Sequence, residues 1–143
     1  MADILHDFPI AATPDAVFAA IATPVGLDGW WTAKAKGTPL AGAEYELWFG
    51  PEYDWRAIVV RCEPGATFEL RMTVADDDWR GTTVGFDLEP DGKETRVHFR
   101  HHGWPAANEH YRVSTFCWAM YLRLLKGFVE RGETVPYEER LEA

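Results

Sequence analysis

The middle of the chain alternates between apolar and polar residues with a period of two. Five runs between Gly42 and His102 follow this alternation, which is typical of β-strands with one buried face and one face in water. Turn residues separate the runs, for example Glu63-Pro64-Gly65 and Pro90-Asp91-Gly92, and such short breaks predict hairpins in an antiparallel meander. The residues predicted to point inward from these strands are Tyr45, Leu47, Phe49, Ile58, Val60, Cys62, Phe68, Leu70, Met72, Val84, Phe86, Leu88, Val97, Phe99 and His101.

Alternation does not fix the register of one of these strands. The run from Trp55 to Glu63 is apolar on both faces, so alternation alone does not decide which set of residues is buried. We assign Ile58 and Val60 to the inward face of the sheet, which places the residues between them on the outer face.

Capping residues mark the predicted helices. A first strand over Ile4–Ile10 precedes a helix that opens at Thr13-Pro14-Asp15, where Thr caps, Pro suits the first helical position and Asp favours the positive end. Thr23-Pro24 starts a second short helix, and the longest helix runs over Asn108–Arg131 and stops at Gly132. The apolar stripe of the long helix, which should face the sheet, comprises Tyr111, Thr115, Trp118, Leu122, Leu125 and Val129.

These elements predict one α+β domain over residues 1–143. The expected architecture is a curved antiparallel sheet of about six or seven strands that wraps around the long C-terminal helix, with two short helices after the first strand. Because a twisted sheet cannot lie flat on a straight helix, space opens between them, and large rings either fill it as a packed core or line a pocket for a small apolar molecule. The candidate ligand-binding residues are Trp30, Trp31, Tyr45, Leu47, Phe49, Ile58, Val60, Phe68, Leu70, Met72, Val84, Phe86, Phe99, His101, Trp104, Tyr111 and Trp118.

Charge and cysteine content narrow the function classes. The net charge of −9 gives no basic footprint for nucleic acid, and an acidic surface is repelled by anionic membranes. The two cysteines, Cys62 and Cys117, form no CxxC motif and are expected to be free thiols in a reducing compartment. With no signal peptide and no apolar run long enough to cross a bilayer, we expect a cytoplasmic location and no membrane insertion.

His101 is the main candidate for chemistry. It is predicted to point inward at the end of the last strand, where it either orients a ligand or acts as a general base with a pKa near neutrality. The alternative is a structural histidine that forms a hydrogen bond with the turn at Gly103. Arg56, Arg61 and Arg71 either clamp a ligand carboxylate or pair with acidic residues on the wet face of the sheet.

The sequence gives little support for metal binding, cofactor binding or serine catalysis. His98 and His102 lack a third ligand nearby, so no metal site is predicted, and no cofactor motif is present. Ser114 is the only serine and has no evident partner, so covalent serine catalysis is not expected. Trp30, Trp31 and Trp104 lie at predicted element ends, where they form either the rim of a cavity or plugs that seal the core.

Several motifs in order along the chain resemble one superfamily. The opening stretch from Phe8 to Phe18, with its Pro-x-x-Val-Phe pattern, is followed by the paired Trp30-Trp31. The run from Thr95 to Trp104 has a Thr-x-apolar-x-apolar-x-His-x-Gly-aromatic form, and the closing helix ends at Gly132. These features are similar to those of the START-like, helix-grip (SRPBCC) superfamily, in the branch related to the C-terminal domain of the Hsp90 ATPase activator Aha1 and to polyketide cyclases.

The resemblance implies a cavity for lipids, polyketides, hormones or other apolar molecules. The leading interpretation is therefore binding of a small hydrophobic ligand between the sheet and the terminal helix. One alternative is a cyclase or dehydratase acting on a polyketide-like or aromatic substrate, in which His101 and an arginine move protons. Another is a cochaperone-like protein-interaction module, which a core filled by the protein's own side chains would favour.

The long helix also has apolar residues on the side opposite its first stripe. A helix that is apolar all round is usually covered on both sides. We therefore predict a homodimer contact formed by Val113, Phe116, Met120 and Leu124.

Overall fold

The computed structural model describes residues 1–142 and contains one seven-stranded sheet, three α-helices and a terminal 3₁₀ segment. The strands are β1 (Ala2–Ile10), β2 (Lys34–Lys36), β3 (Glu44–Trp48), β4 (Asp54–Glu63), β5 (Thr67–Val74), β6 (Thr83–Asp91) and β7 (Glu94–Trp104). The α-helices are α1 (Pro14–Ala22), α2 (Pro24–Asp28) and α3 (Glu109–Arg131), and the 3₁₀ segment is Tyr137–Glu142.

The sheet order is β1-β7-β6-β5-β4-β3-β2, with antiparallel pairing throughout. Strands β2 to β7 follow one another as a meander. Strand β1, although first in the chain, pairs with the last strand β7 at the edge of the sheet, where Ile10 lies opposite Thr95. The buried residues form one core between the sheet and the helices. This is the helix-grip architecture expected from the sequence.

The helix boundaries follow the predicted capping chemistry. The Thr13 hydroxyl accepts a hydrogen bond from the Ala16 amide at 3.2 Å, and the side-chain oxygen Oδ1 of Asn108 accepts one from the Tyr111 amide at 2.9 Å. Gly132 ends α3 in the left-handed conformation, with φ of 68°, where glycine has no steric penalty. These local signals therefore set where α1 and α3 begin and where α3 ends.

The structure corrects the predicted register of β4. Ala57 and Val59 are the buried residues, whereas Ile58 is half-buried on the opposite face and Val60 is half-buried at a register shift. The strand's own sequence offers no contrast between its faces, so its register is decided by pairing with β5, where Ala57 lies opposite Met72. A register shift after Val59 then changes the alternation within the same strand.

Helix α3 is apolar on two sides. Trp118, Leu122 and Leu125 are buried against the sheet, in agreement with the predicted inner stripe. On the opposite side, the side chain of Phe116 is 78% exposed and that of Val113 52% exposed. We call Val113, Phe116, Met120 and Leu124 the α3 outer face. Among residues 1–142, no helix has the length and apolarity that crossing a bilayer requires.

Candidate functional site

Aromatic rings occupy the space between the sheet and α3. Around Trp118, the ring centroid of Phe99 lies at 4.6 Å, that of Trp31 at 5.3 Å and that of Trp79 at 5.8 Å. Trp31 in turn stacks on Trp30 at 6.0 Å. These are ordinary contact distances for packed aromatic side chains. The rings therefore fill the space between the sheet and α3, for which the sequence allowed either a packed core or a ligand pocket.

The remaining void between the sheet and α3 has a volume of about 40 Å³. Such a void holds a water molecule or two, whereas pockets for drug-sized ligands have roughly 300–1,000 Å³. The open cavity expected from the sequence is therefore not formed in this conformation. The void is lined by Trp31, Trp79, Ser114, Cys117, Trp118 and Tyr121.

Trp79 is the residue that closes the space, and the sequence pattern missed it. It follows the acidic run Asp76-Asp77-Asp78 in the loop between β5 and β6, so it belongs to none of the alternating runs. Its ring nevertheless turns inward, with centroids 4.5 Å from His101 and 5.0 Å from Trp55. The one signal in the sequence is a large apolar ring directly after three aspartates, where a turn needs no such residue.

Trp79 also has an unsatisfied polar group. Within the described residues, its buried indole N–H donates to no acceptor, and the same is true of Trp104. A buried donor without a partner destabilises the folded state by about 1–3 kcal/mol, and such groups call for a specific explanation.

His101 is held in a chain of hydrogen bonds rather than at the turn of Gly103. The Trp118 indole N–H donates to His101 Nδ1 at 3.1 Å, which makes Nδ1 an acceptor and places the proton on Nε2. Nε2 then donates to Thr82 Oγ1 at 2.8 Å, and the Thr82 hydroxyl donates to the Trp79 carbonyl at 2.5 Å. Both ring nitrogens are therefore occupied by protein partners.

The same burial sets the charge of His101. The residue is 0% exposed, and the resulting desolvation lowers its pKa to about 3, with smaller contributions from His102 and His110. This corrects the expectation of a general base with a pKa near neutrality. His101 is a neutral structural histidine, although its partners are Thr82 and Trp118 rather than the following turn.

Most of the other predicted site residues belong to the core. Four members of the predicted set are only half-buried, namely Phe49, Ile58, Val60 and Tyr111. Trp31 and Trp118 are the members of the predicted set that line the void. The predicted residues that are buried are Trp30, Trp31, Tyr45, Leu47, Phe68, Leu70, Met72, Val84, Phe86, Phe99, His101, Trp104 and Trp118.

Trp30 and Trp104 act as plugs of the core rather than as an open rim. Both side chains are fully buried, and the Trp30 indole N–H donates to the Ala20 carbonyl at 2.9 Å. Arg56 lies on the wet face of the sheet, where its guanidinium contacts the carboxylates of Asp54 and Glu46. The described residues contain no His/Cys/Asp/Glu cluster able to hold a metal ion.

Two grooves lie on the outside of the protein beside α3. The first, which we call the β1–α3 groove, has a volume of about 310 Å³ and the second, on the α3 outer face, about 360 Å³. They share Ala119 and Arg123 and so form one continuous surface. The β1–α3 groove is lined by His6, Asp7, Phe8, Pro9, Ala119, Leu122, Arg123 and Lys126, and the second groove by Phe116, Ala119, Met120, Arg123 and Leu124.

Comparison with known structures supports the predicted superfamily. The solution structure of the Aha1 dimer from Colwellia psychrerythraea is 28% identical in sequence, with a TM-score of 0.84, over 93% of this chain and 99% of that chain. Protein SSP2350 from Staphylococcus saprophyticus is 19% identical, with a TM-score of 0.78, over 94% of this chain and 96% of that chain. CalU16 from Micromonospora echinospora is 23% identical, with a TM-score of 0.74, over 98% of this chain and 84% of that chain. The last two likenesses concern the fold alone.

The family comparison agrees with the structural one. No curated protein matches this chain. Residues 11–130 match the family described as Activator of Hsp90 ATPase homolog 1-like protein, and this match runs from just after β1 to the last turn of α3. By this match, the chain belongs to the Activator of Hsp90 ATPase homolog 1-like family.

Proposed function

We propose that this protein is a protein-interaction module that associates with a second copy of itself through the α3 outer face. The observation that supports this most directly is the 78% exposure of Phe116 in the middle of a helix whose other side is already buried. Burying a phenylalanine side chain contributes about 1.5–3 kcal/mol, so a partner that covers Phe116 gains substantially. The void beside Trp118 measures only about 40 Å³, far less than the roughly 300–1,000 Å³ of pockets for drug-sized ligands.

A second copy suits the outer face because the face is self-complementary. In an antiparallel helix pair with its two-fold axis at Met120, Phe116 of each copy meets Leu124 of the other. Apolar residues then contact apolar residues on both sides of the axis. The 28% identical Colwellia psychrerythraea protein is described as a dimer, which adds support for this occupant.

The oligomeric state tests the proposal. Light scattering coupled to size exclusion should give twice the chain mass of 16.2 kDa for the unmodified protein and the monomer mass for Phe116→Glu. Leu40→Glu is a matched control, because Leu40 is also an exposed apolar residue, at 64%, but lies in the loop before β3. A monomer at high protein concentration, or a dimer that Phe116→Glu leaves intact, would contradict the proposal.

A second candidate function is carriage of a small aromatic molecule. One observation favours it: the unpaired indole N–H of Trp79 belongs to a ring that lines the internal void. If the Trp79 loop moves outward, a planar ligand with a hydrogen-bond acceptor takes the place of the ring among Trp31 and Trp118. Native mass spectrometry after incubation with cell metabolites tests this, and a protein that retains no small molecule argues against it.

The enzymatic alternative receives less support from the geometry. A general base needs a free lone pair within reach of the substrate, whereas the acceptor nitrogen of His101 already accepts from Trp118. A cyclase or dehydratase mechanism through His101 would therefore require this hydrogen bond to break first.

We also propose a cytoplasmic location for this protein. Cys62 and Cys117 are both free thiols, which suits a reducing compartment. Labelling of the thiols in intact cells tests this, and a protein recovered in an oxidising compartment would contradict it.

A further inference from the structure

The two edges of the sheet differ in how they are protected. At one edge, β2 has only three residues and exposes Lys34 and Lys36, which are ordinary devices against pairing with another strand. At the other edge, β1 has nine residues and exposes Leu5 to 65%. The β1 edge is therefore the one at which a further strand can pair.

Side chains of α3 show which backbone groups of β1 face outward. The Tyr111 hydroxyl donates to the Asp3 carbonyl at 2.6 Å, and Lys126 Nζ donates to the Pro9 carbonyl at 2.7 Å. Pro9 has no N–H, which suits a position that points away from β7. In an antiparallel pair, alternate residues direct their backbone groups to the same side, so Leu5 and Asp7 also present theirs at the free edge.

Side chains of α3 form hydrogen bonds with the backbone carbonyls at both ends of this edge but, among residues 1–142, not with the backbone in its middle. Within the described residues, no side chain forms a hydrogen bond with the backbone N–H or C=O of Leu5 or Asp7, which lie between the sites of Tyr111 and Lys126. Asp7 lines the β1–α3 groove, beside which these backbone groups lie. A short stretch of a partner strand is therefore the element that fits.

The free edge lies level with the centre of the α3 outer face. From Tyr111 to Lys126 the helix rises about 22 Å at 1.5 Å per residue. From Asp3 to Pro9 the strand rises about 20 Å at 3.4 Å per residue. Because the two hydrogen bonds tie these ends together, Ala119 lies beside the middle of β1, and both Ala119 and His6 line the β1–α3 groove.

We propose that two copies of this chain pair their β1 strands antiparallel about His6, which joins the two sheets into one. This rests on the proposed self-association and specifies its geometry. Leu5 of each copy exchanges both backbone hydrogen bonds with Asp7 of the other, and the strands lie about 4.8 Å apart. The two α3 helices then lie side by side on the same face of the joined sheet, with Ala119 and Arg123 of each copy towards the two-fold axis.

Charge at the joined edge is compatible with this pairing. The Asp7 carboxylate accepts a hydrogen bond from His98 Nδ1 at 2.9 Å within its own chain, so its negative charge is partly offset. Asp7 of one copy then lies opposite the apolar Leu5 of the other rather than opposite a second aspartate. The shared groove residues Ala119 and Arg123 connect the paired strands to the α3 outer face.

A proline at position 7 tests the strand pairing separately from the helix contact. Asp7→Pro removes a backbone N–H that faces the free edge. The N–H groups through which β1 pairs with β7 belong to the alternate residues of the strand and are kept. Asp7→Ala removes the same carboxylate but keeps the N–H, and so serves as the matched control. We expect a monomer for Asp7→Pro and a dimer for Asp7→Ala in light scattering.

Amide hydrogen exchange on the protein gives a second measurement that does not depend on the proline variant folding. The amides of Leu5 and Asp7 should exchange at least about tenfold more slowly in the unmodified protein than in Phe116→Glu. The amide of His6, which faces β7, should be protected in both and so report that β1 is intact.

The outcomes separate this proposal from the proposed function. A dimer that persists in Asp7→Pro overturns the strand pairing, and so does equal exchange at Leu5 and Asp7 in the unmodified protein and a monomeric Phe116→Glu. Dissociation by Phe116→Glu still supports the helix contact in either case. Dissociation by Asp7→Pro with an intact Phe116→Glu dimer supports the strand pairing and overturns the helix contact. A monomeric unmodified protein overturns both.

Discussion

Burial of neutral His101 makes the stability of the folded protein decrease at low pH. In the folded protein, desolvation lowers the pKa of His101 to about 3, whereas the ordinary value of 6.5 applies after unfolding. The unfolded chain therefore binds a proton in this pH range that the folded protein does not bind. The stability contributed by neutral His101 is fully present above the unfolded pKa and is lost as pH falls below about 6.5 towards 3.

The size of the effect follows from the shift in pKa. At about pH 4.5, two pH units below the unfolded pKa, His101 is protonated in the unfolded chain but not in the folded protein. At 1.36 kcal/mol per unit, this lowers the free energy of unfolding by about 3 kcal/mol. His101→Gln has no titratable group at this position, so it escapes this loss. We therefore expect the stability advantage of the unmodified protein over His101→Gln to shrink by about 3 kcal/mol between pH 7 and pH 4.5.

Urea unfolding followed by tryptophan fluorescence measures this difference at each pH, since the chain contains seven tryptophans. His98→Gln is the control with the opposite sign. The hydrogen bond that His98 donates to the Asp7 carboxylate raises the pKa of His98, and Glu89 adds to this shift. The stability contributed by His98 is therefore present at low pH and is lost as pH rises through its folded pKa. A difference between the unmodified protein and His101→Gln that stays constant from pH 7 to pH 4.5 would refute the assignment of His101 as a buried neutral group.

Three further substitutions test other parts of the structure. Trp79→Ala should destabilise the fold by about 3–5 kcal/mol and open a space that added indole refills, seen as a higher melting temperature; no response to indole would contradict the role of this ring as a plug. Arg140→Leu should cost about 2–4 kcal/mol in urea unfolding and increase proteolysis of the C-terminal segment, because the buried guanidinium donates to three backbone carbonyls; unchanged proteolysis would argue against this anchor. Gly26→Ala should destabilise by about 1–3 kcal/mol in the same assay, since its Cβ would lie 2.2 Å from the Ala19 carbonyl oxygen, whereas Val25→Ala at the exposed neighbouring position should change little.

The architecture could be predicted because its signals are local. Alternation in the strands, turn residues between them, and the caps Thr13, Asn108 and Gly132 each depend on residues a few positions apart. The structure confirms the meander and the long helix that these signals predict. The motifs that carry the family resemblance lie in these same elements, so the sequence also indicates the superfamily.

The interior could not be predicted in the same way. The partners of His101, the burial of Ala57 instead of Ile58, and the inward turn of Trp79 each depend on contacts between elements far apart in the chain. A pattern along one strand does not say which of two apolar faces meets the core when both are apolar. Nor does it say whether a ring in a loop turns into the gap beneath it.

The sequence by itself determined the order of the elements, their caps and the two apolar sides of α3. Only the tertiary structure decided that the gap between sheet and helix is filled, and that the backbone of Leu5 and Asp7 is left at an open edge beside the α3 outer face. The physical reason is that periodicity and capping are set by neighbours along the chain. The filling of a space and the exposure of an edge depend on how distant segments pack together.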